Sequence, residues 1–171
     1  IVHRINRASS TAEQPAEGAR YIGVLDIFGF EIFQTNSLEQ LCINYANEKL
    51  QANFTTTVFR NEEGMYTEEG IDFQHIPYAD NTAVLELIEG SKGKPNGIIP
   101  MLEEESKLPN TTDKTLLDRL NAAFADNKHP KYFKDFKSPD VFTVKHYAGD
   151  VVYNPFGGDA GLGFLEKSMD N

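Results

Sequence analysis

The sequence predicts a mixed α/β chain, mainly helical, and three observations carry that prediction. Residues 21–25 form an uninterrupted apolar run with β-branched members, the pattern of a buried strand, and it delivers Asp26 and Gly29 to its carboxyl end. Residues 36–59 hold the longest helical pattern in the chain. Residues 141–153 alternate apolar and polar around Ala148-Gly149-Asp150, which reads as a β-hairpin.

Length and composition set the outer limits. At 171 residues with 40% apolar content, the chain is long and apolar enough for one real core. Its net charge of −10 argues against nucleic acid or an anionic membrane surface as the main partner. A single cysteine, Cys42, rules out an internal disulfide framework and fits a reducing compartment. No apolar run approaches the ~20 residues of a membrane span, and no signal-peptide pattern opens the chain. The expectation is a soluble, intracellular chain.

Residues 1–6 have helical apolar spacing and read as the end of a preceding helix. Residues 8–20, with Pro15 and Gly18, read as a linker. After the strand, Asn36 with Glu39 makes a capping-box start for the long helix. Its apolar stripe (Leu38, Leu41, Cys42, Tyr45, Ala52) has Ile43, Leu50, Phe54 and Val58 beside it, so burial on more than one side is expected. Thr55, Thr56 and Thr57 are β-branched and predict a bend or fraying. Residues 60–73 are acidic with Gly64 and Gly70, and read as an exposed loop.

Asp80 or Asn81 should cap a short helix with Val84, Leu87 and Ile88 inward and Gly90 as its stop. Ile98, Met101 and Leu102 predict another helix, in which Pro100 is tolerated because it falls in the first turn. Leu108-Pro109-Asn110 then turns the chain. Thr111 or Thr112 caps a helix bearing Leu116, Leu117, Leu120, Ala123 and Phe124, so a helix–loop–helix spans about 80–125. The Gly/Pro-rich residues 154–163 read as a flexible loop, and residues 164–171 as the start of a new element.

The chemistry concentrates in one place. A carboxylate at the end of a buried strand can hold a Mg²⁺-bound water, and Gly29 leaves its N–H open to a terminal phosphate. A bare Asp-x-x-Gly is nonetheless more often an ordinary strand and turn. The four histidines (His3, His75, His129, His146) have neither HExxH nor zinc-site spacing, and no G-x-S-x-G occurs. There is also no G-x-x-x-x-G-K-[ST], so nothing in this chain cradles the α- and β-phosphates and it is not catalytic alone.

The longer strings resolve that tension. Gly23-Val-Leu-Asp-Ile-Phe-Gly-Phe-Glu31 resembles the switch II element of the myosin motor domain. Asn36-Ser-Leu-Glu-Gln-Leu-Cys-Ile-Asn-Tyr-Ala-Asn-Glu-Lys-Leu-Gln51 resembles its relay helix, and Glu69-Gly-Ile-Asp-Phe73 its relay loop. Gly97-Ile-Ile-Pro-Met-Leu-Glu-Glu-Glu105 and Pro109-Asn-Thr-Thr-Asp113 are similar to the actin-facing helix–loop–helix of the lower subdomain. His146-Tyr-Ala-Gly149 and Gly163-Phe-Leu-Glu-Lys167 match the segments that follow.

The resemblance implies part of an actin-activated ATPase built on the P-loop NTPase-type myosin head. One core-sheet strand would be followed by relay helix, helix–loop–helix and hairpin. It implies a phosphate-binding loop and first switch before Ile1, with the reactive-thiol helices and converter after Asn171. Residues 1–20 would be the preceding helix and linker, 21–73 switch II and relay, and 74–171 the lower actin-binding subdomain, its hairpin at about 141–153. ATP and Mg²⁺ are the implied cofactors, with Asp26 in the second shell of the metal and Asp26, Ile27, Phe28 and Gly29 at the nucleotide. Gly29 would donate its N–H to the γ-phosphate. Glu31 would pair with an arginine of the first switch and help to position the attacking water.

Asn47, Phe54, Phe59 and Phe73 would carry the movement outward. Pro95, Asn96, Gly97, Ile98, Met101, Leu108 and Pro109 would meet the actin filament. Other implied partners are the rest of the head and light chains or calmodulin on a neck, in the cytoskeleton. The sequence departs from the family pattern at Phe73, where many relay loops carry tryptophan. It also departs at Asn96 and Pro100, and in an apparent insertion at 155–162.

Overall fold

The computed structural model describes Arg4 and residues 25–74, 80–91, 97–124, 133–135, 140–157 and 161–169. Of the expected buried strand at 21–25 only Leu25 is described, exposed and outside any strand; the rest of it and the linker at 8–20 lie outside the described residues. So do His75, Pro95, Asn96 and His129. Of the expected leading helix only Arg4, helical and exposed, is described.

The described elements are helix α1 (Leu38–Phe54), a π-helical segment (Thr55–Arg60), α2 (Asn61–Glu68), α3 (Thr82–Glu89), α4 (Ile98–Ser106), α5 (Asp113–Phe124), strands β1 (Phe133–Asp135), β2 (Phe142–His146) and β3 (Gly149–Tyr153), and α6 (Phe164–Met169). Among the described residues the fold is helix-rich and mixed, with a three-stranded antiparallel sheet ordered β1-β2-β3. The hairpin register pairs Phe142 with Tyr153, Val144 with Val151 and His146 with Gly149. Alternation along β2 and β3 turns Phe142, Val144, Val151 and Tyr153 into the core.

That core is shared by α3, α4, α5, β2, β3 and α6, and α1 adds Leu41 to it. The apolar spacing in α3 buries Val84, Leu85, Leu87 and Ile88 together. Asp80 accepts the Thr82 N–H at 2.9 Å, satisfying a first-turn donor of α3, and Gly90 at φ +82 ends that helix. In α4, Pro100 sits in the first turn, and Ile98, Met101, Leu102 and Glu105 face inward. Arg119 of α5 donates to Glu105 at 2.9 Å and also reaches Glu104, clamping α4 to α5. Between them Asn110 takes φ +62 at the turn. Thr112 Oγ1 accepts from Thr115 N at 3.3 Å, while Thr112 N donates to Thr115 Oγ1 at 3.0 Å.

The long helix differs from expectation in three ways. Its cap is Ser37, whose N–H is accepted by the Gln40 side chain at 3.0 Å, rather than Asn36 with Glu39. The Asn36 side chain is turned inward and used elsewhere. The buried face is Leu41, Asn44 and Glu48, while Cys42, Leu50, Phe54 and Val58 are exposed. Burial of the helix on several sides is therefore corrected to burial along one narrow, largely polar seam. Finally, helical backbone does not give way to a loop at residue 60. It winds as a π-helix through the β-branched run and continues as α2, where Glu62 and Glu63 occupy the first turn. Gly70 at φ +68 closes it, with Ile71 N–H reaching the Tyr66 carbonyl at 2.9 Å.

The described parts of the expected loop at 154–163, residues 154–157 and 161–163, are tied to the scaffold. Pro155 is buried and its carbonyl accepts the Phe164 N–H at 2.8 Å. Leu165 N–H is accepted by Asp113 at 3.0 Å, and Lys167 donates to Glu39 at 2.7 Å, so α6 is tied to both α5 and the start of α1.

Two predictions follow from these packings. A Cβ at Gly97 would stand 2.6 Å from the Ile88 carbonyl oxygen, where the first turn of α4 crosses the end of α3. Gly97→Ala should therefore destabilise by ~1–3 kcal/mol, read as a lower melting temperature and reduced soluble yield of the protein carrying this chain. At Glu39, burial pushes the carboxyl up, but hydrogen bonds from Lys167 and Ser37 outweigh it and hold the pKa at about 2. Its contribution is present above the ordinary 4.5 and is lost as pH falls toward about 2. The side chain is half exposed, so the stabilisation should be below ~1 kcal/mol. The melting-point gap between wild type and Glu39→Gln should narrow through that window; a gap that widens on acidification would contradict the assignment.

Candidate functional site

The stretch after Asp26 has no strand partner in residues 25–33, yet its backbone is held. Asparagine amides do the holding. The Asn47 Nδ2 donates to the Phe28 carbonyl at 3.0 Å. Asn44 grips Glu31 at both ends of its backbone: Oδ1 accepts the Glu31 N–H at 2.8 Å and Nδ2 donates to the Glu31 carbonyl at 2.8 Å. Asn36 grips Phe33 the same way, at 2.8 Å and 2.9 Å, and its second amide hydrogen reaches the Val152 carbonyl at 3.0 Å. Backbone groups that a sheet ladder would otherwise pair are thus satisfied by side chains of α1 and its lead-in.

Behind Asn44 lies a buried polar chain. The Asn44 Nδ2 also donates to the Tyr153 hydroxyl at 3.0 Å. That hydroxyl lies 2.8 Å from His146 Nε2, and His146 Nδ1 lies 3.0 Å from Glu48 Oε1. With the imidazole neutral and its proton on Nδ1, every group is used once: Tyr153 O–H donates to Nε2 and Nδ1–H donates to Glu48. Glu48 further accepts the Tyr147 N–H at 2.9 Å and an amide hydrogen of Asn81. The side chains of Glu48 and His146 are fully buried. Burial pushes the Tyr153 phenol well above its ordinary pKa, so it remains a donor at neutral pH.

Phe30 closes the arrangement from the loop side, edge-on to His146 at 5.2 Å and to Tyr147 at 5.7 Å. Loop, long helix, hairpin and the cap of α3 therefore meet at one point.

The expected site residues fall into three groups. Asp26, Ile27 and Phe28 line an open hollow of about 450 Å³, Gly29 is exposed beside them, and Glu31 is half-buried with Gln40 Nε2 donating to it at 3.2 Å. The structure brings these five together on one loop. The four residues expected to relay movement follow the rod. Asn47 contacts the loop, Phe54 and Phe59 meet edge to face at 6.3 Å across the π segment, and Phe73 packs on Tyr66 at 5.6 Å.

The seven residues expected to form a docking surface are not brought together. Pro95 and Asn96 lie outside the described residues. Gly97, Ile98 and Met101 are buried, because the inward face of α4 fills the core. Leu108 and Pro109 are exposed at the turn after α4.

Sequence reasoning missed the loop-clamping roles of Asn36 and Asn44 and the buried hydrogen-bond partnership of Glu48, Asn81, His146 and Tyr153. One signal was available: Asn44 and Glu48 stand four apart, three and seven residues after Leu41, on the face of the long helix that the fold buries.

Comparison with known proteins identifies the family. A family model described as "Myosin head (motor domain)" matches residues 1–171. The chain is 46% identical over 162 residues to a myosin-I heavy chain of Dictyostelium discoideum, covering 95% of this chain and 6% of that protein. It is 45% identical over 175 residues to unconventional myosin-VIIb of Mus musculus, covering 99% of this chain and 8% of the other. It is 45% identical over 172 residues to a non-muscle myosin heavy chain of Drosophila melanogaster, covering 99% and 8%. The chain thus spans a small part of the length of the relatives it matches. With a whole-length family match and these identities across nearly all its residues, the chain belongs to the myosin head (motor domain) family.

Proposed function

We propose that this chain is the γ-phosphate-sensing and relay portion of an actin-activated ATPase motor that uses ATP and Mg²⁺. The observation that carries the reading is the amide clamp: Asn44 and Asn47 of α1 hold Glu31 and Phe28, on either side of Gly29. A loop fastened this way cannot shift toward a phosphate without moving the helix that holds it.

The donor set fits that role. Among the described residues no group of three or more His, Cys, Asp or Glu is placed to hold a metal ion. Asp26 is a single exposed carboxylate, suited to accept from a Mg²⁺-bound water rather than to bind the ion itself. Gly29 N–H is the donor to the γ-phosphate, and Ile27 and Phe28 line the same hollow. Glu31 would pair with an arginine supplied by the first switch and so orient the attacking water. The chemistry Mg²⁺ supplies is charge neutralisation on the phosphates.

Movement of the loop would leave through Asn47 and α1, cross the π segment at Phe54 and Phe59, and reach Phe73 and a converter. Leu108 and Pro109 would offer apolar contact to the actin filament, together with Pro95 and Asn96, while Gly97, Ile98 and Met101 are buried in the structure and would hold the helix between them in place. Light chains or calmodulin on a neck, and a place in the cytoskeleton, belong to the same reading.

The test is Gly29→Ala in the motor polypeptide carrying this chain. A Cβ built at Gly29 meets nothing within 4 Å, so the substitution should leave folding untouched. Nucleotide affinity should stay within about twofold, whereas turnover should fall by about 10²-fold or more, the scale of losing one preorganised donor, because the added Cβ crowds the approach of the γ-phosphate to the Gly29 N–H. Unchanged turnover would remove Gly29 from the mechanism.

A further inference from the structure

The mechanism above uses the grip of Asn44 on Glu31 but not the buried chain Tyr153–His146–Glu48 behind it, and the geometry of that chain carries a further role. Resting on the ATPase reading, we propose that Asn44 is a positioning residue for turnover. It fixes the Glu31 backbone, and the hairpin holds it in place through Tyr153 and His146.

Three features support this. Asn44 has both amide hydrogens and its oxygen engaged, the oxygen on the Glu31 N–H and the two hydrogens on the Glu31 carbonyl and the Tyr153 hydroxyl. The amide plane is therefore set from both sides and cannot rotate without breaking a bond. Tyr153 is anchored in turn, stacked on Phe142 at 5.5 Å and directed by its bond to His146. His146 is oriented by Glu48, which returns to the same helix four residues beyond Asn44. The circuit begins and ends on α1 and passes through the hairpin.

Fixing the peptide at Glu31 fixes the direction in which its carboxylate leaves the backbone. It also fixes the chain two residues after Gly29. Both matter for aligning the reacting water, and neither contributes to holding the nucleotide base or its inner phosphates. Loss of the circuit should appear in kcat and spare KM.

The contrast with Asn36 sharpens the assignment. Asn36 makes the same two-ended grip on Phe33, but its spare hydrogen goes to the Val152 main chain rather than to a side-chain circuit. It anchors the exit of the loop.

The experiment is a double-mutant cycle in the complete motor polypeptide. Tyr153→Phe removes one hydroxyl and keeps the ring packing. Asn44→Asp keeps the shape and the acceptor for Glu31 N–H and loses both donors. Turnover is measured per nucleotide-binding site, so that unfolded molecules do not count. Each single variant should lower kcat about tenfold with KM for ATP within about twofold, and the double variant should be no worse than Asn44→Asp alone, since Tyr153 acts through Asn44. A purely structural role would lower the melting temperature and leave kcat per site unchanged. That result, or losses that multiply in the double variant, would overturn the proposal. A wild-type polypeptide with no ATP turnover would overturn the ATPase reading and this one with it, whereas wild-type turnover with unaffected variants overturns this one alone.

Discussion

Glu48 is a carboxylate with no access to water, and the fold converges on satisfying it. An uncompensated charge at such depth costs several kcal/mol, so its partners are obligatory. They come from three directions: His146 at the end of β2, the Tyr147 N–H at the hairpin turn, and Asn81 at the cap of α3. Each is held in its own element by ordinary means. Strand pairing places His146 opposite Gly149, and the Asp80 side chain takes over the capping of α3 and leaves the Asn81 amide available. One charge thereby fixes how helix, hairpin and α3 meet, and Asn44 extends that meeting to the loop.

The loop itself is joined to the scaffold by a second kind of bond. Strands in a sheet exchange a ladder of main-chain hydrogen bonds, and slipping one residue breaks the whole ladder. Here individual side-chain amides grip individual residues: Asn47 on Phe28, Asn44 on Glu31, Asn36 on Phe33. Each grip ties one residue of the loop to one side chain of α1 or its lead-in, and Phe30 against His146 and Tyr147 supplies apolar adhesion between the grips.

Much of the fold was legible because it obeys periodicity. The leucines of α5, the inward face of α3 and the alternation of β2 and β3 were read at the right places, as were Gly90 as a stop and Pro100 in a first turn. What escaped has one physical cause. Sequence patterns weigh apolar residues as buried and acidic ones as solvated, and the centre of this structure reverses that: Glu48 and Asn44 are inside, Leu50 and Phe54 outside. The acidic run after residue 60 misled in the same way, for a helix end welcomes the negative charge that reads as a loop. At the site, Asp26 and Gly29 stand out through the longer string Gly23–Glu31 and its family resemblance, since the bare spacing is more often an ordinary strand and turn. Asn44, His146 and Tyr153 come from distant parts of the chain, and their juxtaposition exists only in the folded molecule.

The π segment bears on how the rod can be read from outside. In an α-helix, residues five apart point in widely different directions, because each turn takes 3.6 residues. The looser π winding brings such residues onto neighbouring positions, and Phe54 and Phe59 accordingly meet edge to face. Rewinding the segment as ordinary α-helix would carry the two rings to separate faces. The pair therefore works as a winding gauge: six residues of backbone geometry are translated into the presence or absence of a single aromatic contact on an accessible surface.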